Sequence, residues 1–272
     1  MTDLTHLVVL DFEATCDDKN PPDPQEIIEF PSVLLRTDTF AVVDEFEAFV
    51  RPVHHPTLTT FCRELTSIEQ ADVDAAKPFP EVLDAHLGWL ASHGLPTEAA
   101  ELPYALVTCG DWDLRSMFPA QLRASSLDYV PQPYRQWINV KVPFKNWNRK
   151  QARTGMARML ELLDLKLEGR HHRGIDDSRN IAKIVRALVA RHQRMEVTTK
   201  LPASRYPKIE ITLQREGFDE QRVTLTKRTL GSLLGTASSA FRRQATRVFE
   251  GERELADADL LDLSGGAILR VA

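Results

Sequence analysis

The chain has 272 residues, 43% of them apolar, with a formal net charge of -5. That is long enough and apolar enough for one large or two smaller globular domains, and it excludes a disordered or fibrous chain. A net negative molecule does not hold nucleic acid by overall charge, so any polyanion must be bound by a local basic patch or by metal ions.

The N-terminus, MTDLTHLVVL, lacks a basic leader, and its apolar run is cut at Asp11. Neither a secretory signal nor a membrane span fits, so the expectation is an intracellular protein of cytoplasm or nucleus with no membrane partner. Cys16, Cys62 and Cys109 lie far apart with no zinc-type spacing, which argues for small buried apolar residues rather than disulfides or a zinc site.

In chain order, LVVLDFEATC reads as a core strand ending in two acids, Asp11 and Glu13. Side chains alternate along a strand, so these two share a face and Phe12 takes the other. Unpaired carboxylates are costly to bury, so the pair is either solvated at the strand end or offset by a cation. After the proline-rich turn CDDKNPPDPQ, IIEFPSVLLR and FAVVDEFEAFVRP read as two further strands of an antiparallel meander.

From Phe61 to His93 the spacing becomes helical, with Pro80 suited to a first turn and Gly94 to a stop. Tyr104 to Cys109 is the next strand, feeding a helix that begins near Trp112. Asp111 and Asp113 stand at this junction, the sheet edge where α/β folds bind ligands, and either could equally cap the helix. INVKVPF is read as a short strand, KQARTGMARMLELLDL as an amphipathic helix and DDSRNIAKIVRALVARH as a long helix opened by acids. Aromatics and cations interleave in YRQWINVKVPFKNWNRKQAR, where Trp137, Phe144 and Trp147 lie among Lys141, Lys145, Arg149, Lys150 and Arg153. That pattern suits either a grip on single-stranded nucleic acid or core aromatics beside solvated charges.

A boundary follows near MEVTTKLPASRYP. Beyond it KIEITLQ and QRVTLTK form a hairpin, TLGSLLGTASSAFRRQA a helix, and TRVFEGERELADADLLDLSGGAILRVA two strands around an acidic turn. The expected division is residues 1–195, a linker at 196–207, and a small domain at 208–272.

LDFEAT, then GDWD about a hundred residues on, then HHRGIDDSRNIAKI together resemble the DEDDh 3′-to-5′ exonucleases, a branch of the DnaQ-like, ribonuclease-H-like superfamily. DFEATC, DPQEIIEFPSVLL, FCRELTSIEQADVD and WINVK are most similar to the histone-mRNA and enhanced-RNAi exonuclease group. The resemblance implies an α/β, ribonuclease-H-like mixed sheet flanked by helices. It makes Asp11 and Glu13 the first acid pair, Asp113 the second-motif acid because it follows Trp112, Asp177 the third-motif acid, and His172, five residues earlier, the general base. Asp111 stands where relatives usually have an uncharged residue, and His171 is a second imidazole beside His172.

By the same resemblance the four acids hold two Mg²⁺ or Mn²⁺ ions. All-oxygen ligands suit these hard cations, and carboxylates crowded together need them. The implied activity is 3′-to-5′ exoribonuclease cleavage that releases nucleoside 5′-monophosphates from single-stranded RNA or RNA 3′ overhangs. Ala14 and Thr15 are expected at the terminal nucleotide, with Trp112 and Lys141 as further substrate contacts. The alternatives are a single-strand DNA 3′ exonuclease of the same branch, or an inactive scaffold binding RNA or protein.

Residues from Lys208 on resemble an α+β β-grasp domain of the ubiquitin-like or doublecortin-like kind. Relatives often carry an N-terminal nucleic-acid-binding domain, whereas here the first strand starts almost at Met1. The C-terminal unit is therefore expected to bind a protein partner or to place Arg242, Arg243 and Arg247, read as lying on its helix, beside RNA.

Overall fold

A computed structural model describes residues 4–99, 101–127, 129–151, 154–201, 209–225, 230–255 and 267–272. The chain divides into two compact units, Met1–Leu127 with Pro131–Leu201, and Asp128–Val130 with Pro202–Ala272.

The first unit is built on one mixed sheet. Its strands are β1 (His6–Val9), β2 (Glu13–Ala14), β3 (Ile27–Arg36), β4 (Val42–Arg51), β5 (Lys77–Pro78), β6 (Tyr104–Thr108), β7 (Gln136–Asn139) and β8 (Thr199–Lys200). The order is β5-β4-β3-β1-β6-β7-β8, with β2 paired to β3 off this path. β1, β3 and β4 form the antiparallel meander expected from the sequence, while β6 joins β1 in parallel and β7 joins β6 in parallel. This is a ribonuclease-H-like α/β fold, a mixed sheet flanked by helices.

β3 reads as a continuous apolar run because both of its faces are covered, and nine of its ten residues are buried. One face carries an aromatic cluster in which Phe12 meets Phe30 edge-on at 4.7 Å and stacks near Phe118 at 6.0 Å. His86 belongs to this face, stacked on Phe30 and hydrogen-bonded to Ser32 Oγ and Tyr134 Oη. The opposite face holds Leu7, Val9, Val33, Leu35 and Val107 against Ile181, Ile184, Val185 and Leu188. Those four lie on α7 (Gly174–Ala190), whose three-and-four spacing of apolar residues turns one stripe toward the sheet. Leu7 and Val9 have the same parity as Asp11 and Glu13, so both acids point to the α7 side of the sheet.

Between β1 and α7 the chain forms α1 (Thr60–Thr66), α2 (Gln70–Asp74) and α3 (Phe79–Ser92). The α3 helix has Pro80 in its first turn and ends at Gly94, whose φ of +72° only glycine adopts readily. A π turn at Asp113–Met117 leads into α4 (Phe118–Ala124). The segment after β7 departs from expectation: KVPFKNW is α5 (Lys141–Trp147), not part of a strand. Ile138, Val140, Val142 and Phe144 alternate as in a strand, but Val142 is 41% exposed, Asn139 Oδ1 accepts the Lys141 N–H at the helix start, and Pro143 fits the first turn. α6 (Met156–Leu162) covers only the latter half of the helix read over KQARTGMARMLELLDL, since Gly155 is extended at its start and Arg149–Gln151 forms a separate 3₁₀ turn. β8, inside the stretch read as a linker, pairs antiparallel with β7.

The second unit has β9 (Ile209–Gln214), β10 (Gln221–Leu225), α8 (Leu230–Phe241), β11 (Val248–Glu250), β12 (Arg253–Glu254) and β13 (Ile268–Val271). Its sheet order is β10-β9-β13-β11-β12, with β9 and β13 parallel. Leu213, Leu233, Ala237, Phe241, Val248 and Leu269 form its core. α8 stops at Phe241, so Arg242, Arg243 and Arg247 are not on the helix as expected but lie exposed beyond it. The acidic turn at 256–266 and the linker at 202–207 lie outside the described residues.

Candidate active site

β1 ends at Val9, and β3 is left with a single partner at Pro31, between the pairs it makes with β2 and with β1. A residue without an N–H is tolerated where a neighbouring strand is missing. The N-terminus of α7 packs into this gap. A Cβ added to Gly174 would lie 2.8 Å from Asp11 O, 3.0 Å from Pro31 Cγ and 3.2 Å from Glu29 Cδ, so only glycine permits the approach.

Glu29, which the sequence reading did not single out, holds that approach. Its fully buried carboxylate accepts the N–H groups of Gly174 and Ile175, both at 3.0 Å, and pairs with Arg173 Nε at 3.2 Å. A carboxylate on the first turn satisfies donors that a helix start leaves open. Burial pushes the Glu29 carboxyl up, while Arg173 and the two N–H groups pull it down. The signal was an acid inside an otherwise apolar strand run.

From α7 Asp177 turns back toward the strand end. One carboxylate oxygen each from Asp11, Glu13 and Asp177 lie within 4.8 Å of one another. Asp113 joins from the π turn that follows β6, where its Oδ1 accepts the Phe12 N–H at 3.0 Å and fixes the backbone between the first two acids. The π turn beginning at Asp113 is a geometry often found at functional positions.

All four carboxyls are shifted upward. Burial comes first in each case. For Asp11 the next causes are the charges of Asp113 and Asp177, with Lys141 opposing. Glu13 is pushed up to about 10 by burial, then Asp11 and Glu29. Asp113 and Asp177 rise to about 6, restrained by the backbone N–H groups of Phe12 and His172. Acids held this close are relieved by a cation, and the oxygens fit one: Asp177 Oδ2 accepts the His172 N–H at 2.8 Å, while its Oδ1 is buried with no hydrogen-bond partner.

The two ambiguous acids are accounted for elsewhere. Asp111 Oδ1 accepts from Trp137 Nε1 at 2.9 Å and from Thr199 Oγ1 at 3.1 Å, which ties β6 to β7 and β8. Asp176 accepts the Arg170 N–H and pairs with Arg179. Its carboxylate would lie 2.3 Å from a Cβ at Gly169, whose φ is +70°. Asn180 completes this support by bonding Glu168 through both its N–H and its carbonyl. The supported loop carries His171 and His172, exposed rings stacked at 3.9 Å, with His172 at φ +67°. His171 Nε2 lies 3.9 Å from Asp177 Oδ2. Burial, then His171, lowers the His172 imidazole below its ordinary value.

Ala14 and Thr15 are buried behind Glu13, and Thr15 Oγ1 accepts the Glu26 N–H. Trp112 is 45% exposed beside Asp113, and Lys141 is half-buried close enough to lower Asp11 and Asp113. Of the two readings left open for the aromatics Trp137, Phe144 and Trp147, a nucleic-acid grip or core packing, the core one holds. Trp137 and Phe144 are fully buried core residues, and Trp147 packs on Phe144 under Arg191. Arg153 lies outside the described residues. The three cysteines are free thiols, with Cys62 buried and Cys16 and Cys109 half-buried.

The sequence model described as exonuclease matches residues 8–185. The chain belongs to the exonuclease family. Within it, the chain is 36% identical over 214 residues to 3′-5′ exoribonuclease 1 of Homo sapiens, covering 78% of this chain and 60% of that one. It is 42% identical over 195 residues to ERI1 exoribonuclease 3 of Bos taurus, covering 72% and 57%. The chain thus spans about 60% of the length of the curated relatives it matches.

Among solved structures, the nuclease domain of 3′hExo, a DEDDh family member bound to rAMP, matches with a TM-score of 0.67 at 37% identity, covering 73% of this chain and 98% of that one. A 3′-exonuclease described in 3′-end specific recognition of a histone mRNA stem-loop matches with a TM-score of 0.67 at 36% identity, covering 74% and 68%. The resemblance to the DEDDh exonucleases read from the sequence is borne out. Among the described residues no helix is long and apolar enough to cross a membrane.

Proposed function

We propose that the protein is a metal-dependent 3′-to-5′ exoribonuclease that removes nucleoside 5′-monophosphates from single-stranded RNA or RNA 3′ overhangs. The observation that carries this reading is the convergence of Asp11, Glu13 and Asp177 on one point, with an Asp177 oxygen left unpartnered there. Asp11, Glu13, Asp113 and Asp177 hold two Mg²⁺ or Mn²⁺ ions. When bound, such a pair stabilises the attacking and leaving oxygens of an in-line displacement at phosphorus.

The rest falls to the chain. Imidazole is neutral at physiological pH, more so with its proton affinity lowered, so His172 accepts the proton of the attacking water. Glu29 and Gly174 seat α7 so that Asp177 reaches the strand end. Ala14 and Thr15 wall the terminal nucleotide, Trp112 offers an exposed ring, and Lys141 a cation for phosphate. RNA is favoured over DNA by the relatives at 36–42% identity.

In the second unit, the parallel β9–β13 pair flanked by two hairpins, with α8 between the hairpins in sequence, supports a β-grasp domain. The division after Leu201 supports separate domains near 1–195 and 208–272.

Chromatography of the products tests the reaction. Incubation of matched RNA and DNA single strands with Mg²⁺ is expected to give nucleoside 5′-monophosphates from the 3′ end, faster from RNA. Faster DNA cleavage would reassign the substrate, and 3′-phosphate products would contradict the chemistry.

A further inference from the structure

Outside the carboxylate cluster one cavity of the first unit holds two side chains, Arg63 and Ser67, with polar atoms that the fold does not use. It is open to solvent, offers about 460 Å³ and is lined by Thr60, Arg63, Glu64, Ser67, Glu69 and Arg170. Arg63 Nε and Ser67 Oγ are buried there with no hydrogen-bond partner, and among the described residues no ion pair reaches Arg63. Buried donors without acceptors are rare in folded proteins, and an acceptor from outside the chain is one way to satisfy them.

The cavity's own acids do not supply it. Glu69 accepts a backbone N–H of α2 in a reciprocal cap with Asp72, and Glu64 is exposed. The Glu64 main-chain oxygen accepts from Arg170 Nη2 at 2.6 Å, which joins α1 to the residue directly before His171 and His172. At the other end of α1, the Thr59 hydroxyl donates to Cys16 O, next to Thr15. The cavity therefore adjoins the loop that carries the imidazoles, and α1, which supplies half of its lining residues, is tied at its other end to the residue after Thr15.

A phosphodiester carries one negative charge and only acceptors, and beside the carboxylates of Glu64 and Glu69 the lining offers it the guanidinium groups of Arg63 and Arg170 and the hydroxyls of Thr60 and Ser67. Next to a cluster of carboxylates in a chain of net charge -5, a polyanion needs local cations to be held at all. We propose that this cavity binds a backbone phosphate of the substrate strand, other than the one being cleaved, between Arg63 and Arg170 with Ser67 Oγ as a third donor. This rests on the exonuclease reading above. Gripping the strand away from the reacting linkage sets its register, so that only the last phosphodiester meets the acids.

Binding of a fluorescein-labelled oligouridylate of about ten nucleotides, long enough to pass the terminal linkage, tests this by anisotropy across a salt series with Ca²⁺ replacing Mg²⁺. R63Q is expected to weaken binding about tenfold and to lower the salt dependence by about 0.7, the loss of one phosphate contact on a single strand. S67A is expected to weaken it about threefold, close to the worth of one neutral hydrogen bond. Affinity for adenosine 5′-monophosphate and the thermal midpoint stay as in wild type.

Unchanged affinity and salt slope in R63Q would overturn the proposal, and so would a loss of affinity with the slope unchanged, which would mark a structural disturbance. Inorganic phosphate that raises the thermal midpoint of wild type but not of R63Q, with equal RNA affinities, would mark a free-anion site and overturn it as well. Wild type that binds the strand but cleaves neither RNA nor DNA in Mg²⁺ would remove the exonuclease reading, while the salt slopes still decide on the cavity.

Discussion

Replacing Glu13 with glutamine is expected to stabilise the metal-free protein while ending its activity. The Glu13 carboxyl is pushed up to about 10 by burial first, and then by Asp11, Glu29, Asp177 and Asp113. A carboxyl that binds its proton more tightly folded than unfolded lends full stability below its unfolded value, 4.5, and loses it as pH rises toward the folded value. At pH 7 the interval from 4.5 corresponds to about 3 kcal/mol of lost stability, because the unfolded chain can ionise and the folded chain cannot. Glutamine has the shape of the protonated acid and no charge to suppress, so it recovers up to that amount. For a unit of this size that raises the thermal midpoint by about 6–12 °C.

Differential scanning calorimetry in EDTA between pH 5 and 8 is the assay. The gap between Glu13→Gln and wild type should be small at pH 5 and widen toward pH 8. Mg²⁺ or Mn²⁺ should narrow it by stabilising wild type more than the variant, since binding to the folded state adds stability that grows with the logarithm of affinity. A variant no more stable than wild type at pH 8 in EDTA would refute the reasoning, because the acids would then not be in mutual conflict.

Three further outcomes follow from the geometry. His172→Ala should retain metal binding by calorimetry and slow turnover by roughly 10²–10⁴-fold, the worth of a general base, with His171→Ala as the comparison that separates the two stacked rings. Asp111→Asn should keep metal-dependent cleavage because its carboxylate is bonded to Trp137 and Thr199, whereas Asp113→Asn should abolish turnover, both read in a single-turnover assay. Glu29→Ala leaves two helix N–H groups and Arg173 Nε without their acceptor, although Arg173 Nη2 keeps Glu47, so urea unfolding should show a loss of about 3 kcal/mol, with weakened metal binding as α7 loosens.

What the sequence carried and what it hid follow from the same physics. Asp11 and Glu13 stood out because an apolar strand does not end in two same-face acids without cause, and the strand-to-helix switch marked Asp113 and Asp177 at element ends. Glu29 was invisible for the opposite reason: one acid inside IIEFPSVLLR looks like a tolerated interruption, and only the fold shows that its partners arrive from a helix about 145 residues later.

Lys141–Trp147 was misread because its apolar residues alternate as in a strand, and the bond from the Lys141 N–H to Asn139 Oδ1 at the helix start leaves no periodic trace. Trp137 and Phe144 sat among cations in sequence, yet neighbours along a chain need not share a face, and burial took both rings into the core. The cavity at Arg63 and Arg170 joins residues that the sequence separates by more than a hundred positions, so no local pattern announces it.

The most direct test of the central claim is digestion of a 5′-labelled RNA with a 3′ overhang, in Mg²⁺ and in EDTA, by wild type and Asp11→Ala side by side. A ladder that shortens from the 3′ end only with both the metal and Asp11 present is the predicted result. A ladder that persists in EDTA or in Asp11→Ala, or no cleavage by wild type that binds Mg²⁺, would contradict it.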